Sequence, residues 1–573
     1  MPDHTIALPR ASLAVLLLLG AGLHARAAQL TGAAQSSARL DSGTPPPPEQ
    51  TCYDVVHYGL ALAVDPSLHT ISGTGTLRAR VLRATKSILV DLDDAFAIVE
   101  VKQGARKLEF TREPGRIRVA GLPEFARVGS EFEIAVTYAG VPREAQRPPW
   151  DGGFTWAKTA DGKPWIATSC QGEGADLWWP CKDQPDDEPE SMDLFIGVPE
   201  PLVCASNGKL VDVQHDAARG RATYHWHVSN PINAYSVAID IAPYEKIEGQ
   251  YTSTTGEKFP LVYYVLPENL ENGRKLFGEI QLDVAFFESV LGPYPFRADK
   301  CGVAETPHLG MEQQTITGYG NRYRGNPWGA QQGFDFLLHH EMSHEYWGLL
   351  VTARNWNDFW IHEGLGTYMQ ALYAEKLRGP QAYRQVMGEQ RRGIANTGAL
   401  APREPHSSGE MYTTAVWEDS PGGDIYTKGS WVVHTLRWLL GDERFFRVLR
   451  RWAYPDAQLE QITDGRQCRF ATTDELLAIA EKESGAKLGW FWELYLRQPK
   501  LPRLVAEKRG DVLRLAWETP KDLPFPMPVE VEVAGKRTRV EMQEGQGTLA
   551  LGGAAEWKLD PDARILRESE RKR

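Results

Sequence analysis

At 573 residues, with 42% hydrophobic content and 18 tryptophans, the chain is too long for one core and has much to bury; three or more domains are expected. The formal net charge is −12 and no dense Lys/Arg cluster occurs. That balance argues against nucleic acid or an anionic membrane as partner.

Arg10 precedes an apolar run from Ala11 to Leu23, and Ala25-Arg26-Ala27 offers a small-x-small cleavage site. Residues 1–28 therefore read as a secretory signal peptide, too short in its apolar part to span a bilayer comfortably. The expected location is periplasmic or extracellular, with no stable membrane contact after cleavage. Residues 29–50 are small and polar and end in Pro45-Pro46-Pro47-Pro48, the composition of a flexible, then stiff, linker.

From Cys52 the pattern is that of strands. Val56, Tyr58, Leu60, Leu62 and Val64 alternate, Asp65-Pro66 turns the chain, and Ile71, Leu77, Ala79 and Val81 alternate in return. Such runs continue to Tyr244, so residues 51–244 are expected to be an all-β domain. Beyond Pro267 the period changes. Leu276, Ile280, Val284, Phe287 and Leu291 mark an amphipathic helix ended by Gly292-Pro293. Thr472 and Glu475 suit a capping box closed by Gly485. Residues 245–498 read as a mainly helical domain. After Pro499 and Pro502 alternation returns around Val512–Trp517, Val529–Val533 and Val540, giving a small β-sandwich and tail over 499–573. The final Arg567–Arg573 mixes both charge signs and reads as a frayed end. Six cysteines, at 52, 170, 181, 204, 301 and 468, suit either disulfides in an exported protein or buried thiols in a large domain.

The chemistry concentrates in His340-Glu341-Met342-Ser343-His344, with Glu363 nineteen positions after the second histidine. On a helix, residues i and i+4 share a face, so both imidazoles can reach one ion. Two histidines and a carboxylate are the protein ligands of a catalytic zinc that keeps its fourth position for water. Glu341 stands beside the first ligand, where a carboxylate can take a proton from that water. His339 lies about 100° round the helix from His340 and cannot share the ion; it reads as a packed or solvated ring.

With these residues in view, the chain resembles the aminopeptidase N family of zinc exopeptidases, which includes leukotriene hydrolase. The resemblance runs from about residue 52 to 565. It is carried by Gly310-Met311-Glu312-Gln313, His340 to Gly348, Trp360-Ile361-His362-Glu363-Gly364 and Tyr426-Thr427-Lys428-Gly429, with Cys170-Gln171 and Pro180-Cys181 in support. It implies a multidomain α+β fold: an N-terminal all-β saddle-like domain, a thermolysin-like mainly α catalytic domain and a small C-terminal β-sandwich, as a short form without the family's helical C-terminal domain.

The resemblance also implies one Zn2+ per chain on His340, His344 and Glu363, with Glu341 as general base. Glu312 and Gln171 are then expected to hold the substrate's free α-amino group, and Tyr426 to stabilise the transition-state oxyanion. Lys428 is expected to be structural or solvated. The expected activity is removal of the N-terminal residue from peptides with a free N-terminus. A thermolysin-like endopeptidase and a catalytically silent peptide-binding scaffold are the alternatives, and an epoxide hydrolase is open by family analogy. Leu309, Gln313 and His362 depart from the family pattern. The first two bear on the shape of the first side-chain pocket; His362 is either a hydrogen-bond partner behind the metal or a packed ring.

Overall fold

Alternation of apolar and polar residues builds the first half of the chain. In this computed structural model, which describes residues 42–43, 45–172, 174–413 and 424–568, Tyr53–Asp65 and Thr70–Val81 are long antiparallel strands. Val56, Tyr58, Leu60, Leu62 and Val64 are all buried on one face. They sit inside an eight-stranded sheet in the order Lys209–Asp216, Arg221–Val228, Ser191–Pro199, Tyr53–Asp65, Thr70–Val81, Glu131–Gly140, Phe96–Gln103, Arg106–Leu108. A four-stranded sheet contains Pro164–Ser169, and a five-stranded sheet runs Glu245–Thr252, Lys258–Val265, Cys301–Glu305, Thr317–Tyr319, Gly310–Met311.

The expected signal peptide lies outside the described residues, as does the linker through residue 41. The end of that linker is folded, contrary to the reading of a tether: Gln50 is fully buried, and its Nε2 donates to Asp91 Oδ2 at 2.5 Å. None of the six cysteines is in a disulfide, and five of them are buried. No described helix is long and apolar enough to cross a membrane.

The contacts divide the chain into two compact units, both discontinuous. The first takes the described residues through Leu282 together with Pro295–Tyr323 and Ile462–Cys468; the second takes Asp283–Tyr294, Arg324–Gln461 and the remainder from Arg469. In the first unit the late segment is bonded inward, Gln467 Nε2 donating to Asn230 Oδ1 at 2.8 Å and to Pro295 O at 3.0 Å.

Helices dominate the second unit. Thr472 and Glu475 form the capping box of the helix Thr473–Ser484, which Gly485 ends at φ 67°. The C-terminal strands form two three-stranded sheets, Arg503–Arg509 with Val512–Glu518 and Gln546–Ala550, and Lys536–Val540 with Val529–Val533 and Trp557–Leu559. Tyr495 OH donates to Leu566 O at 2.7 Å and Leu566 N–H to Thr435 Oγ1 at 3.0 Å, fastening the chain's end to two helices.

Candidate metal centre

The helix that carries His340 begins at a cap. Asp335 Oδ1 accepts the N–H groups of Leu337 and Leu338, each at 3.1 Å. The helix is Phe336–Ser343, although Met342, Tyr346 and Leu349 carry the helical spacing of Leu338 on past its end. Beyond its end Gly348, at φ 134°, leads the chain into the strand Val351–Ala353, which pairs in parallel with Arg469–Ala471. His344 keeps helical torsions at the C-cap, φ −68° and ψ −17°. The i, i+4 relation with His340 therefore survives the early stop.

Glu363 comes from the next helix, Trp360–Arg378. Trp360 Nε1 donates to Thr473 Oγ1 at 2.8 Å, and that hydroxyl donates to Asp358 Oδ1 at 2.6 Å, fixing the first turn. Gln370 Nε2 donates to Phe336 O at 2.9 Å and ties this helix to the histidine helix. Gly366, which the sequence reading passed over, faces His340 and His344. A Cβ there would lie 3.3 Å from His344 Cε1 and 3.4 Å from His340 Cε1. The missing side chain is room for two imidazoles.

Three atoms converge. His340 Nε2 is 3.2 Å from His344 Nε2 and 3.3 Å from Glu363 Oε2, and His344 Nε2 is 3.6 Å from the same oxygen. A tetrahedral ion with bonds of about 2.1 Å separates its ligands by roughly 3.4 Å. Glu363 Oε2 is buried without a hydrogen bond, the condition of a carboxylate oxygen shaped for a cation. The tautomer also fits: His344 Nδ1–H donates to Trp347 O at 2.7 Å, leaving the Nε2 lone pair facing Glu363. Among the described residues these three form a group able to hold a metal ion.

The electrostatics favour the same use. Burial pushes His340 and His344 down to about 4, so both rings are neutral, the form that binds a metal. Burial raises Glu363 to about 7 despite the opposing pull of His344 and a hydrogen bond from Tyr426. Glu341 is held well above the ordinary carboxylate range, first by burial and then by the neighbouring Glu363 charge. Two carboxylates packed this closely gain most from a divalent cation.

Tyr426 lies in a π-helical turn, Asp424–Lys428, that runs into the helix Gly429–Leu440. Both ends of the turn are clamped. Asp424 Oδ1 accepts from Ala395 N and Asn396 N at 3.0 Å each, and Oδ2 from Thr397 N at 2.9 Å. Lys428 is buried, donates to Pro499 O at 2.9 Å and Gly398 O at 3.2 Å, and is pushed down by burial to about 8. It is structural. The turn also meets the Glu363 helix glycine to glycine: a Cβ on Gly364 would come within 2.9 Å of Gly429 Cα. This crossing lets the Tyr426 hydroxyl bond Glu363, with the tyrosine ring 6.0 Å from that of His340.

His339 is a packed ring. Its Nδ1 is 2.8 Å from Asp283 Oδ1, and it stacks at 4.4 Å and 1° on Tyr373. His362 accepts the Ala353 N–H at its Nε2 at 2.8 Å. It holds the strand after the histidine helix against the start of the glutamate helix.

Glu312 and Gln171 are buried in the first unit. Glu312 follows the short strand Gly310–Met311, which pairs with Tyr319 and Gly318. Gln313 explains itself here: its Nε2 donates to Thr168 O at 2.8 Å. The segment of Glu312 is thereby bonded to the strand end that leads into Gln171. Leu309 is only half-buried and offers its carbonyl to Gly320 N–H at 2.7 Å.

Comparison with known proteins defines the class. The Peptidase M1 N-terminal domain matches residues 54–236 and the Peptidase family M1 domain residues 293–495, together about two thirds of the chain. The chain belongs to peptidase family M1, within the aminopeptidase N group, and its fold is multidomain α+β. It is 23% identical over 489 residues to Aminopeptidase M1-B of Oryza sativa subsp. japonica, covering 81% of this chain and 52% of the relative. To human Endoplasmic reticulum aminopeptidase 1 it is 24% identical over 359 residues, 59% of this chain and 37% of the relative. The chain thus spans about half the length, or less, of these curated relatives. Among solved structures, an M1 zinc metallopeptidase from Deinococcus radiodurans aligns with TM-score 0.63 and 21% identity over 82% of this chain and 99% of that one. That neighbour was crystallised as a mutant bound to a Tyr-Ser-Ala substrate.

Proposed function

We propose that this chain is a zinc aminopeptidase that hydrolyses the first peptide bond of substrates with a free amino terminus. The observation that carries the reading is the convergence of His340 Nε2, His344 Nε2 and Glu363 Oε2 at tetrahedral spacing, in a chain of peptidase family M1. One Zn2+ per chain, held by these three, supplies a Lewis acid that polarises the scissile carbonyl and acidifies water.

The chain's own groups do the rest. Glu341, a carboxylate kept basic by burial and by Glu363, takes a proton from the attacking water and delivers it to the leaving amine nitrogen. The Tyr426 phenol donates to the oxyanion that forms on the carbonyl oxygen. The Glu312 carboxylate pairs the substrate ammonium, and the Gln171 amide oxygen accepts one of its hydrogen bonds. A buried carboxylate of this kind selects exopeptidase action, because an acylated terminus brings no charge to pair it. We read residues 1–28 as a signal peptide and the enzyme as exported, to be checked by the N-terminal sequence of the protein recovered outside the cytoplasm.

A panel of aminoacyl fluorogenic amides, each with and without N-acetylation and with a chelator, tests the reading. Hydrolysis of the free amines alone, abolished by chelator and restored by Zn2+, is the expected result. Equal cleavage of the acetylated partners would instead mark an endopeptidase.

A further inference from the structure

A second concentration of metal-ligating side chains lies on the eight-stranded sheet of the first unit. Asp193 stands on the strand Ser191–Pro199, between Arg221–Val228 and Tyr53–Asp65. His227 is directly across in register, His225 lies two residues before it on the same face, and His57 pairs with Ser191 on the other side. His225 Nε2 is 2.8 Å and His227 Nδ1 3.0 Å from Asp193 Oδ1, while His57 Nε2 is 3.7 Å from Oδ2. The four side chains are 14–34% exposed, open enough for an ion to reach them from solvent.

Here three imidazoles from two strands share Asp193, and nothing in the proposed peptidase reaction uses them. We propose that His57, His225, His227 and Asp193 form a binding site for one divalent transition-metal ion of the zinc, copper or nickel class. Three imidazole nitrogens and one carboxylate oxygen are the donors such ions take, whereas Ca2+ and Mg2+ require oxygen shells. Alternate positions on one strand deliver His225 and His227 to the same side, about 7 Å apart along it. His57 comes from the second strand over, roughly 10 Å away, a span that two imidazoles leaning inward can close.

At present the rings hydrogen-bond Asp193 instead of meeting at one point. Loading turns the side chains inward and replaces N–H···O bonds by nitrogen–metal bonds; a neutral ring moves its proton to its other nitrogen, and a charged ring releases one proton to solvent. Ser191 Oγ, 3.0 Å from His57 Nδ1, and the Phe195 ring, stacked at 4.1 Å on His225, limit how far those two rings rotate. The ion would cross-link three neighbouring strands and stiffen the sheet.

The test titrates Cu2+ into the untagged, zinc-loaded full chain and follows the electron paramagnetic resonance spectrum. One additional ion per chain is expected, with superhyperfine splitting from at least two imidazole nitrogens and a raised melting temperature. The double variant His225→Ala/His227→Ala should lose that ion and that splitting. His57→Ala should weaken binding by at least the roughly 10-fold that losing even an outer hydrogen-bond partner costs a metal site. Equal uptake by wild type and double variant, or a copper spectrum without nitrogen splitting, would overturn the proposal. Should the double variant fail to fold, the single His227→Gln chain decides, and undiminished affinity there overturns the proposal as well. Because the readout is spectroscopic, it stands apart from whether the enzyme is an aminopeptidase.

Discussion

Glu341 and Glu363 are two buried carboxylates on neighbouring helices, each pushed above its ordinary range, and they are proposed for opposite duties. Glu363 keeps an oxygen turned to His340 and His344, whereas Glu341 is left for proton transfer. Glu341→Gln is therefore expected to keep its zinc, measured by elemental analysis, while kcat falls by about 10²–10⁴. Tyr426→Phe should lower kcat by about 10²–10³ with KM little changed, because the phenol meets charge that exists only in the transition state. Steady-state kinetics on the best amide substrate checks both. At this scale the shared face of His340 and His344 was legible from their i, i+4 spacing, whereas the approach of Glu363 depends on how its helix packs. The sequence could not show the partners. Asp283 beside His339, Ala353 N–H on His362 and Trp347 O on His344 are contacts of the folded chain, and their residue types are unremarkable in a sequence.

Helix and strand periodicities were legible wherever a face is buried. The helix Leu270–Leu291 places Leu276, Ile280, Val284, Phe287 and Leu291 inside, and the strands of the sandwich follow their alternation. The early stop of the histidine helix was not legible; the strand that follows it pairs with Arg469–Ala471, far along the chain. The glycine crossing lay half in view: Gly364 and Gly429 stood in the quoted motifs, but their contact is a matter of helix packing. Gly364→Ala should force the two helices apart, lowering stability by about 1–3 kcal/mol and kcat along with it, as Tyr426 shifts against Glu363. Gly388, inside the helix Pro380–Arg392 with open space where a Cβ would go, is the control. Gly388→Ala should raise stability by roughly 0.5–1 kcal/mol in urea unfolding and leave kcat alone.

For the whole molecule, pH links ionisation to stability. His434 is buried and pushed down to about 3; its Nδ1 accepts from Tyr383 OH at 2.6 Å and its Nε2–H donates to Ala563 O at 3.2 Å. Between its folded value and the ordinary 6.5, the unfolded chain binds a proton that the folded chain does not, so this residue costs stability as pH falls. Relative to His434→Gln, the wild type should lose up to about 2 kcal/mol between pH 6.5 and 5, at 1.36 kcal/mol per unit. Unfolding midpoints of both chains across that range check the sign. The grouping of the chain into two units was the least legible property. The sequence marks a change of period near Pro267, yet the strands Cys301–Glu305, Gly310–Met311 and Thr317–Tyr319 extend a sheet begun at Glu245.

That grouping sets a timetable for synthesis. Ile462–Cys468 belongs to the unit that begins the chain, with Gln467 bonded to Asn230 and Pro295. A ribosome therefore releases more than four fifths of the polypeptide before the first-made unit can close. Until then Asn230 and Pro295 lack the hydrogen bonds that Gln467 brings, and the interval suits a chaperone more than it suits independent folding of a leading domain.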